Sequence, residues 1–358
     1  MKMKMKKLAV LFAAAALTTV TAAGCSGGQK ENVSDTAKEP EKVTAAEQTE
    51  EVEEKALETT AEAAEADAEA AAGSDGENYD TGDASKDNAR NQDGIGENEL
   101  LVVSFGTSYN DSRRLTIGAI EDAVEKAFPD FAVRRGFTSQ IIIDHVKSRD
   151  NIAIDNVGEA LERAEKNGVR NLVIQPTHLM NGLEYTDLVN EAAEYSDAFD
   201  KVAIGKPLLT TEDDFRAVMK AVTEATARYD DGETAICFMG HGTEAESNQV
   251  YATMQHMLAE AGYKNYYVGT VEAAPGLDDV LEAVKEGSCK KVVLAPLMIV
   301  AGDHANNDMA GDEEGSWKTA FEDAGYEVTC LVSGLGQLEA IQQLFVEHAQ
   351  AAVDSLTK

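Results

Sequence analysis

Three residues of this chain have types and spacing that could do metal chemistry, namely His241, Glu272 and His304. Each of them follows an apolar run that predicts a β-strand, and these runs cover residues 233–240, 264–271 and 290–300. The carboxyl ends of neighbouring parallel strands line one crevice, which is where ligands bind in α/β sheets. Two imidazoles and a carboxylate that meet in such a crevice would form a site for a first-row divalent metal ion.

The elements that must position these residues alternate between strand and helix from Glu99 to the end of the chain. Apolar strands separated by amphipathic helices predict parallel sheets that helices cover on both faces. Two segments of the first half, 102–108 and 173–184, resemble 236–244 and 293–304 of the second half. We therefore predict an α/β fold of two similar βα lobes, each a four-stranded parallel sheet flanked by helices, with a cleft between them. The alternative is chance similarity, because βα turns favour Gly and Thr.

The internal similarity also contrasts the two halves. Phe105 of the first half aligns with His241, and Glu184 aligns with His304. The second half would therefore bind the metal, and the first half would line the opposite wall of the cleft. The first half is the longer one, and we expect its additional residues to form a helix around 141–146.

The first 25 residues predict an export signal, because lysines precede an apolar run and small residues then lead to Cys25. The segment AAGC (22–25) resembles the lipobox of bacterial lipoproteins, with Ala at a first position that is more commonly Leu. On this interpretation Cys25 is lipidated and anchors an extracytoplasmic protein to a membrane, in the periplasm or at the cell surface. The alternative is an ordinary cleaved signal with an incidental cysteine.

Residues 26–97 are acidic, rich in Ala, Glu and Thr, and poor in aromatic side chains. Such a segment buries too little apolar surface to offset the loss of chain entropy, so we predict a disordered tether. The folded part would then consist of an N-terminal lobe at 98–225 and a C-terminal lobe with the metal site at 226–358.

The whole chain has a net charge of −34. A nucleic-acid partner is disfavoured, because phosphate binding requires clusters of basic side chains. The cysteines beyond Cys25 are Cys237, Cys289 and Cys330, and they form no CxxC motif. This spacing argues against a disulfide framework and against a thiolate zinc site.

Five segments of the folded part carry more specific motifs: SFGTSYNDSR (104–113), THLMNGLEY (177–185), MGHGTE (239–244), GTVEAAPG (269–276) and PLMIVAGDHANNDMAGDEEGSW (296–317). Together they resemble the anaerobic, sirohydrochlorin-type cobaltochelatases, and the resemblance covers residues 99–355. These enzymes are class II chelatases with the two-lobed fold of ferrochelatases. They insert a divalent metal into a tetrapyrrole without ATP or a further cofactor.

The resemblance implies that His241, Glu272 and His304 bind the metal and that His241 is also the general base. The chemistry of the side chains agrees. Neutral imidazoles hold ions such as cobalt, iron or nickel, and an imidazole with a pKa near neutrality can accept a proton from the ring. We expect Co²⁺ as the metal substrate, with Fe²⁺ or Ni²⁺ as alternatives, and no cofactor besides it.

The first half would supply the contacts to the tetrapyrrole, with the loop 104–109 over the ring. The candidate substrate-binding residues are Ser104, Gly106, Thr107, Ser108, Tyr109, Arg113, His178 and Glu184. Sirohydrochlorin carries many carboxylates and the folded part is acidic, so local positive charge is needed. We expect it from helix N-termini and from Arg113, Arg114, Arg134 or Arg135. For His178 a structural role stays equally open.

The sequence thus predicts a lipid-anchored, extracytoplasmic chelatase that places Co²⁺ into a sirohydrochlorin-like ring. A carrier is the rival hypothesis: the cleft would capture haem, another tetrapyrrole or a metal ion without turnover and pass it to an uptake transporter. A third hypothesis is reverse chelation, in which the same residues remove metal from a scavenged tetrapyrrole.

Overall fold

The computed structural model describes residues 81–356. The predicted export signal, its Cys25 and the tether up to residue 80 lie outside the described residues. Across the described range, every helix is too short or too polar to cross a lipid bilayer. The chain from residue 81 onward builds two parallel β-sheets flanked by helices, which confirms the predicted α/β fold class.

The first lobe consists, in chain order, of β1 (Asn98–Ser104), α1 (Asn110–Arg113), a π-helical turn (Arg114–Gly118), α2 (Ala119–Ala127), β2 (Ala132–Phe137), α3 (Gln140–Asp150), β3 (Asp155–Asn156), α4 (Val157–Lys166), β4 (Asn171–Pro176), α5 (Leu183–Glu194), β5 (Lys201–Ile204) and α6 (Glu212–Thr226). Its strands lie in the order β3-β2-β1-β4-β5. The two-residue β3 makes this sheet one strand larger than the predicted four.

The second lobe consists of β6 (Thr234–Gly240), α7 (Gln249–Glu260), β7 (Tyr266–Thr270), α8 (Leu277–Glu286), β8 (Lys291–Pro296), a π-helical turn (Ala305–Met309), α9 (Trp317–Asp323), β9 (Glu327–Cys330) and α10 (Glu339–Ser355). Its four strands lie in the order β7-β6-β8-β9, as predicted. The described residues also include five short 3₁₀ turns, at Ala84–Lys86, Ser196–Ala198, Ala227–Tyr229, Glu246–Asn248 and Leu335–Gln337.

The two sheets repeat one register. Val103 at the end of β1 pairs with Pro176 of β4, and Met239 at the end of β6 pairs with Pro296 of β8. These are the positions that the internal sequence similarity aligns. The additional segment of the first lobe is α3 together with β3, which includes the helix expected around 141–146.

The inner strands β1, β4, β6 and β8 are buried on both faces, as expected for parallel sheets under helices. All four side chains from Leu100 to Val103 are fully buried. The helices begin at sequence signals: the side chain of Asn156 accepts from the backbone N–H of Glu159, whose carboxylate accepts in return from the N–H of Asn156. The main core joins the lobes, because it contains Leu100 of β1, Ile236 of β6 and Phe345 of α10.

The C-terminal helix α10 lies against the first lobe, where it contacts α2, β4, β5 and α6. Its His348 fastens this contact: Nε2 lies 3.1 Å from Oδ1 of Asp214, and Nδ1 lies 3.1 Å from the carbonyl oxygen of Lys206. The lobe boundary between residues 225 and 226 stays a prediction. The helix α10 follows this boundary in the chain but packs against the first lobe.

The segment 81–97, which we call the strap, corrects the prediction of a tether that extends to residue 97. Arg90 of the strap is buried and pairs with the buried Glu121 of α2. Gln92 donates to the carbonyl oxygen of Val133 in β2. The strap is folded because its polar side chains find partners on the first lobe, a source of stability that its apolar content does not reveal.

Candidate metal centre

His241 directly follows β6, and the local backbone requires glycine on both sides of it. A Cβ on Gly240 would lie 2.1 Å from the ring of Tyr251, and Gly242 has φ +93°, a region that favours glycine. The carbonyl oxygen of His241 accepts from the backbone N–H of Glu272 at 2.8 Å. The ends of β6 and β7 are thereby joined at the residues whose side chains enter the site.

His304 reaches the site from the segment that follows β8. We call residues 297–304 the His304 loop; the π-helical turn Ala305–Met309 comes directly after it. The Nδ1 atom of His304 lies 2.7 Å from Oδ2 of Asp308, one helical turn further on. Asp308 therefore fixes the orientation of the His304 ring, as carboxylates do behind many metal-binding histidines.

The structure brings the three predicted metal ligands together. One side-chain ligand atom from each of His241, Glu272 and His304 lies within 4.8 Å of the other two. The imidazole centroids are 4.7 Å apart and the ring planes cross at 84°. Two ligand atoms that each lie ~2.1 Å from one ion are at most about 4 Å apart, so small side-chain rotations would complete the coordination.

The tautomers of both histidines follow from their partners. Nδ1 of His241 lies 2.8 Å from the carbonyl oxygen of Gly242, which can only accept, so this nitrogen carries the hydrogen. Asp308 plays the same part for His304. The lone pair of each neutral ring is then on Nε2, where a cation can accept it. Glu272 is exposed and adds the negative charge that favours a doubly charged ion.

The first lobe touches this centre through residues 105–109, which we call the Thr107 loop. Thr107 lies against Gly302, where a Cβ would come within 3.2 Å of Oγ1 of Thr107. Ser112 of α1 accepts from the N–H of Ala301 at 3.0 Å, and the hydroxyl of Tyr109 lies 3.5 Å from Asp303. Burial, together with the charge of Asp308, raises the pKa of Asp303. The Thr107 loop and the His304 loop are thus in direct contact.

The family model described as cobalt chelatase (CbiK) matches residues 98–354. A sirohydrochlorin cobaltochelatase of Salmonella typhimurium is 38% identical over 255 residues, which take in 71% of this chain and 96% of the Salmonella protein. The chain belongs to the cobalt chelatase family. The sirohydrochlorin cobaltochelatase CbiKC of Nitratidesulfovibrio vulgaris is 29% identical over 259 residues, covering 72% of this chain and 91% of that protein.

Solved structures support the chelatase fold. SirB from Bacillus subtilis with Fe³⁺ has a TM-score of 0.51 at 13% identity and covers 74% of this chain and 98% of its own. The sirohydrochlorin chelatase SirB of the subspecies spizizenii, in complex with cobalt, has a TM-score of 0.50, also at 13% identity, with 73% and 97% covered. The family and the fold predicted from the sequence are confirmed.

The predicted carboxylate-binding arginines need correction. Arg113, Arg134 and Arg135 are completely buried, and each is paired with buried carboxylates. None of these guanidinium groups is positioned to receive a substrate carboxylate, because their donors already satisfy the protein's own acids. Arg114 is partly exposed and pairs with Asp111. Three of the four arginines predicted to bind substrate carboxylates are therefore buried and paired within the first lobe.

The predicted role of Ser104 in substrate binding also needs correction. Its side chain is buried at the end of β1, and its Oγ accepts from the hydroxyl of Thr177 at 2.7 Å, so it joins β1 to β4. Gly106, with φ +108°, has the ring of Phe137 where a Cβ would be, and it shapes the Thr107 loop. Ser108 and Tyr109 are half-buried in this loop, and Glu184 is exposed at the start of α5. Contact of these residues with a substrate stays a prediction.

His178 lies just beyond β4. Neither ring nitrogen has a hydrogen-bond partner within the described residues, although both are enclosed. Burial lowers the pKa of His178 to about 4, so the imidazole is neutral near pH 7. A neutral ring with an unsatisfied donor and an unsatisfied acceptor suits contact with a polar ligand group, and its substrate role stays a prediction.

Sequence reasoning missed Asp308 and Arg149. Asp308 stands four residues after His304, the spacing at which side chains meet on a helix, so a signal was present. Arg149 at the end of α3 is partly exposed and donates to the carbonyl oxygen of Ser108 at 2.6 Å. No local pattern in the sequence places α3 beside the Thr107 loop.

Proposed function

We propose that this chain is a lyase-type chelatase that inserts Co²⁺ into sirohydrochlorin without ATP or a further cofactor. The observation that carries the proposal is the convergence of His241, Glu272 and His304 within 4.8 Å in a member of the cobalt chelatase family. Two relatives of this family are named sirohydrochlorin cobaltochelatases, which supports the choice of metal and ring.

Metal insertion requires that the ion loses water, that the ring loses its two pyrrole protons, and that ring nitrogens replace the protein ligands. The Nε2 atoms of His241 and His304 hold the ion through neutral, exchangeable bonds. As each imidazole gives up the ion to the ring, its lone pair becomes able to accept a proton. His241 is the proposed general base, because its ring lies beside that of His304 and one of its nitrogens lies within 4.8 Å of a carboxylate oxygen of Glu272, where the ring nitrogens of the substrate must meet the ion.

The exposure of Glu272 has a further consequence. A ligand in contact with solvent can exchange water for carboxylate oxygen as the ion arrives. The half-buried histidines, held at Nδ1 by Gly242 and Asp308, keep their orientation during that exchange. The site therefore combines a solvent-exposed carboxylate with two imidazoles whose orientation is held, which suits transient binding of a metal that is substrate rather than resident.

Anaerobic turnover tests the proposal. The purified chain is mixed with Co²⁺ and sirohydrochlorin, and metallation is followed by the absorbance change of the ring. Multiple turnovers that are lost in His241→Ala are expected. The matched control is His256→Ala, because His256 is exposed on α7 and pairs with Glu260 on the same helix. Stoichiometric binding of sirohydrochlorin or haem without metallation would instead establish the carrier, and net release of Co²⁺ from the metallated ring would establish reverse chelation.

We also propose that the chelatase acts outside the cytoplasm, anchored through a lipid on Cys25. The proposal depends on the sequence of residues 1–25, in which lysines, an apolar run and AAGC occur in the order of a lipoprotein signal. Cys25→Ser should move the protein from the membrane fraction to the soluble fraction. Unchanged membrane association of the variant would contradict lipidation. A transporter partner stays a prediction.

A further inference from the structure

The strap holds two of the buried arginines through a single carboxylate. Asp87 accepts from Nε of Arg113 at 2.6 Å and from both terminal nitrogens of Arg135 at 2.7 and 3.1 Å. The Asp87 side chain is 2% exposed and both arginine side chains are fully buried. Arg135 has a second buried partner in Glu121, whereas Asp87 is the only carboxylate within ion-pair distance of Arg113 in the described part of the chain.

Arg113 connects Asp87 with the Thr107 loop. Its Nη1 donates to the carbonyl oxygen of Thr107 at 3.0 Å, and its Nη2 donates to the side-chain oxygen of Asn110. The strap also contacts this region directly, because the carbonyl oxygen of Thr81 accepts from the N–H of Asp111 at 2.8 Å. The strap therefore supports the Thr107 loop through Arg113, which bonds to the loop backbone, and through Thr81, which bonds to the adjoining α1.

The opposite side of the same loop faces the metal centre. Thr107 packs on Gly302 and Tyr109 reaches Asp303, the residue before His304. A continuous series of contacts thus runs from Asp87 through Arg113 and the Thr107 loop to the His304 loop. The family match begins at residue 98, so the strap is an addition to the part of the chain that the family model describes.

We propose that Asp87 is a positioning residue that acts through Arg113, so that the strap sets the conformation of the Thr107 loop and with it the binding of the tetrapyrrole. This inference rests on the proposed function. The Asp87 side chain is 2% exposed and its carboxylate is paired with Arg113 and Arg135, so it acts through them rather than by direct contact with a substrate. Its effect is on the pre-organisation of a loop that would otherwise be ordered only when the ring binds.

Asp87→Asn in the full chain tests the proposal, with Asp93→Asn as the matched control. Asp93 lies in the same strap but is exposed and pairs with the partly exposed Arg163. In Asp87→Asn, KM for sirohydrochlorin should rise about tenfold while kcat stays within about twofold, since the loop must be ordered at the expense of binding energy. Asp87→Glu, which keeps the charge, should restore part of the lost affinity. Asp93→Asn should leave both constants unchanged.

A second readout separates this inference from the proposed function. Hydrogen exchange of the backbone N–H groups at 107–113 should become faster in Asp87→Asn, with exchange in β6 and β8 unchanged. Asn110→Ala, which keeps the ion pairs, should give the same change to a smaller extent and covers the case in which Asp87→Asn does not fold. If the wild type shows no turnover but loop exchange is faster in Asp87→Asn, the proposed function is overturned and the linkage between strap and loop is kept. Unchanged loop exchange, or a fall in kcat at constant KM, would overturn the positioning role.

Discussion

The two lobes share one register of strands but place their ionisable side chains differently. In the second lobe, His241, Glu272 and His304 follow strand ends and stay at least partly accessible. In the first lobe, the aligned positions carry Phe105 and Glu184, and charged side chains form buried pairs, such as Arg134 of β2 with Glu99 of β1. Of the ion pairs described in 81–356, those with both side chains under 10% exposed all belong to the first lobe and its strap.

Charged and ionisable side chains thus have two different roles in the two lobes. Accessible groups near a strand end can exchange protons and metal ligands with solvent, so they suit chemistry. Buried, mutually paired groups cannot exchange partners without a large desolvation cost, so they suit fixing loops in place. Two βα lobes that share one strand register therefore have distinct roles, which depend on where their ionisable side chains lie.

The largest effect should come from breaking a buried pair of the first lobe. At about pH 8, where Glu99 is ionised, Arg134→Met leaves its buried carboxylate without the cation, and the free energy of unfolding should fall by about 3–5 kcal/mol. Arg170→Met removes the exposed pair with Asp200 and should change it by less than about 1 kcal/mol. Urea denaturation of both variants measures the difference, and equal losses would remove the distinction between buried and exposed pairs.

The pH dependence of stability sharpens the same distinction. Burial raises the pKa of Glu99 to about 7, above its ordinary 4.5, in spite of the charge of Arg134. The folded state therefore binds a proton that the unfolded chain has released, and this group makes the wild type less stable as pH rises through that window. The stability of Glu99→Gln relative to the wild type should increase by about 2 kcal/mol from about pH 5 to about pH 8. A difference that is independent of pH would exclude a protonated Glu99.

A smaller effect, on the affinity for metal, is expected from a change at Asp308, which contacts His304 of the second lobe. Asp308→Asn keeps a hydrogen-bond acceptor for His304 but removes its charge, so the Kd for Co²⁺ should rise about tenfold. Asp312→Asn is the control, because Asp312 is exposed and pairs with Lys318. Isothermal titration with Co²⁺ alone provides both values. Equal affinities in the two variants would mean that Asp308 does not orient the ligand.

The sequence predicted the fold class and the convergence of the three site residues for one physical reason. Period and composition mark buried parallel strands, and the carboxyl ends of such strands meet at one edge. His241 and Glu272 come just after β6 and β7, so local pattern was sufficient for them. β8 ends at Pro296, earlier than the predicted run, and His304 reaches the site through the His304 loop. The similarity of the halves likewise predicted the matching registers at Pro176 and Pro296.

The roles of the arginines could not be predicted in the same way. A polar side chain after a strand or on a helix looks alike in sequence whether it faces a ligand or a buried acid. The partner of Arg113 is Asp87, in a strap whose acidic composition resembles that of the preceding tether. Only tertiary structure reveals that the strap is folded by charge pairing, which composition rules based on apolar content do not detect.

Anomalous diffraction at the cobalt edge, from crystals of the chain with Co²⁺, tests the central claim most directly. We expect one peak ~2.1 Å from Nε2 of both His241 and His304 and in contact with a carboxylate oxygen of Glu272. No such peak should occur between Phe105 and Glu184 of the first lobe. A cobalt ion bound elsewhere, or held by only one of the two imidazoles, would contradict a single metal centre built by the second lobe.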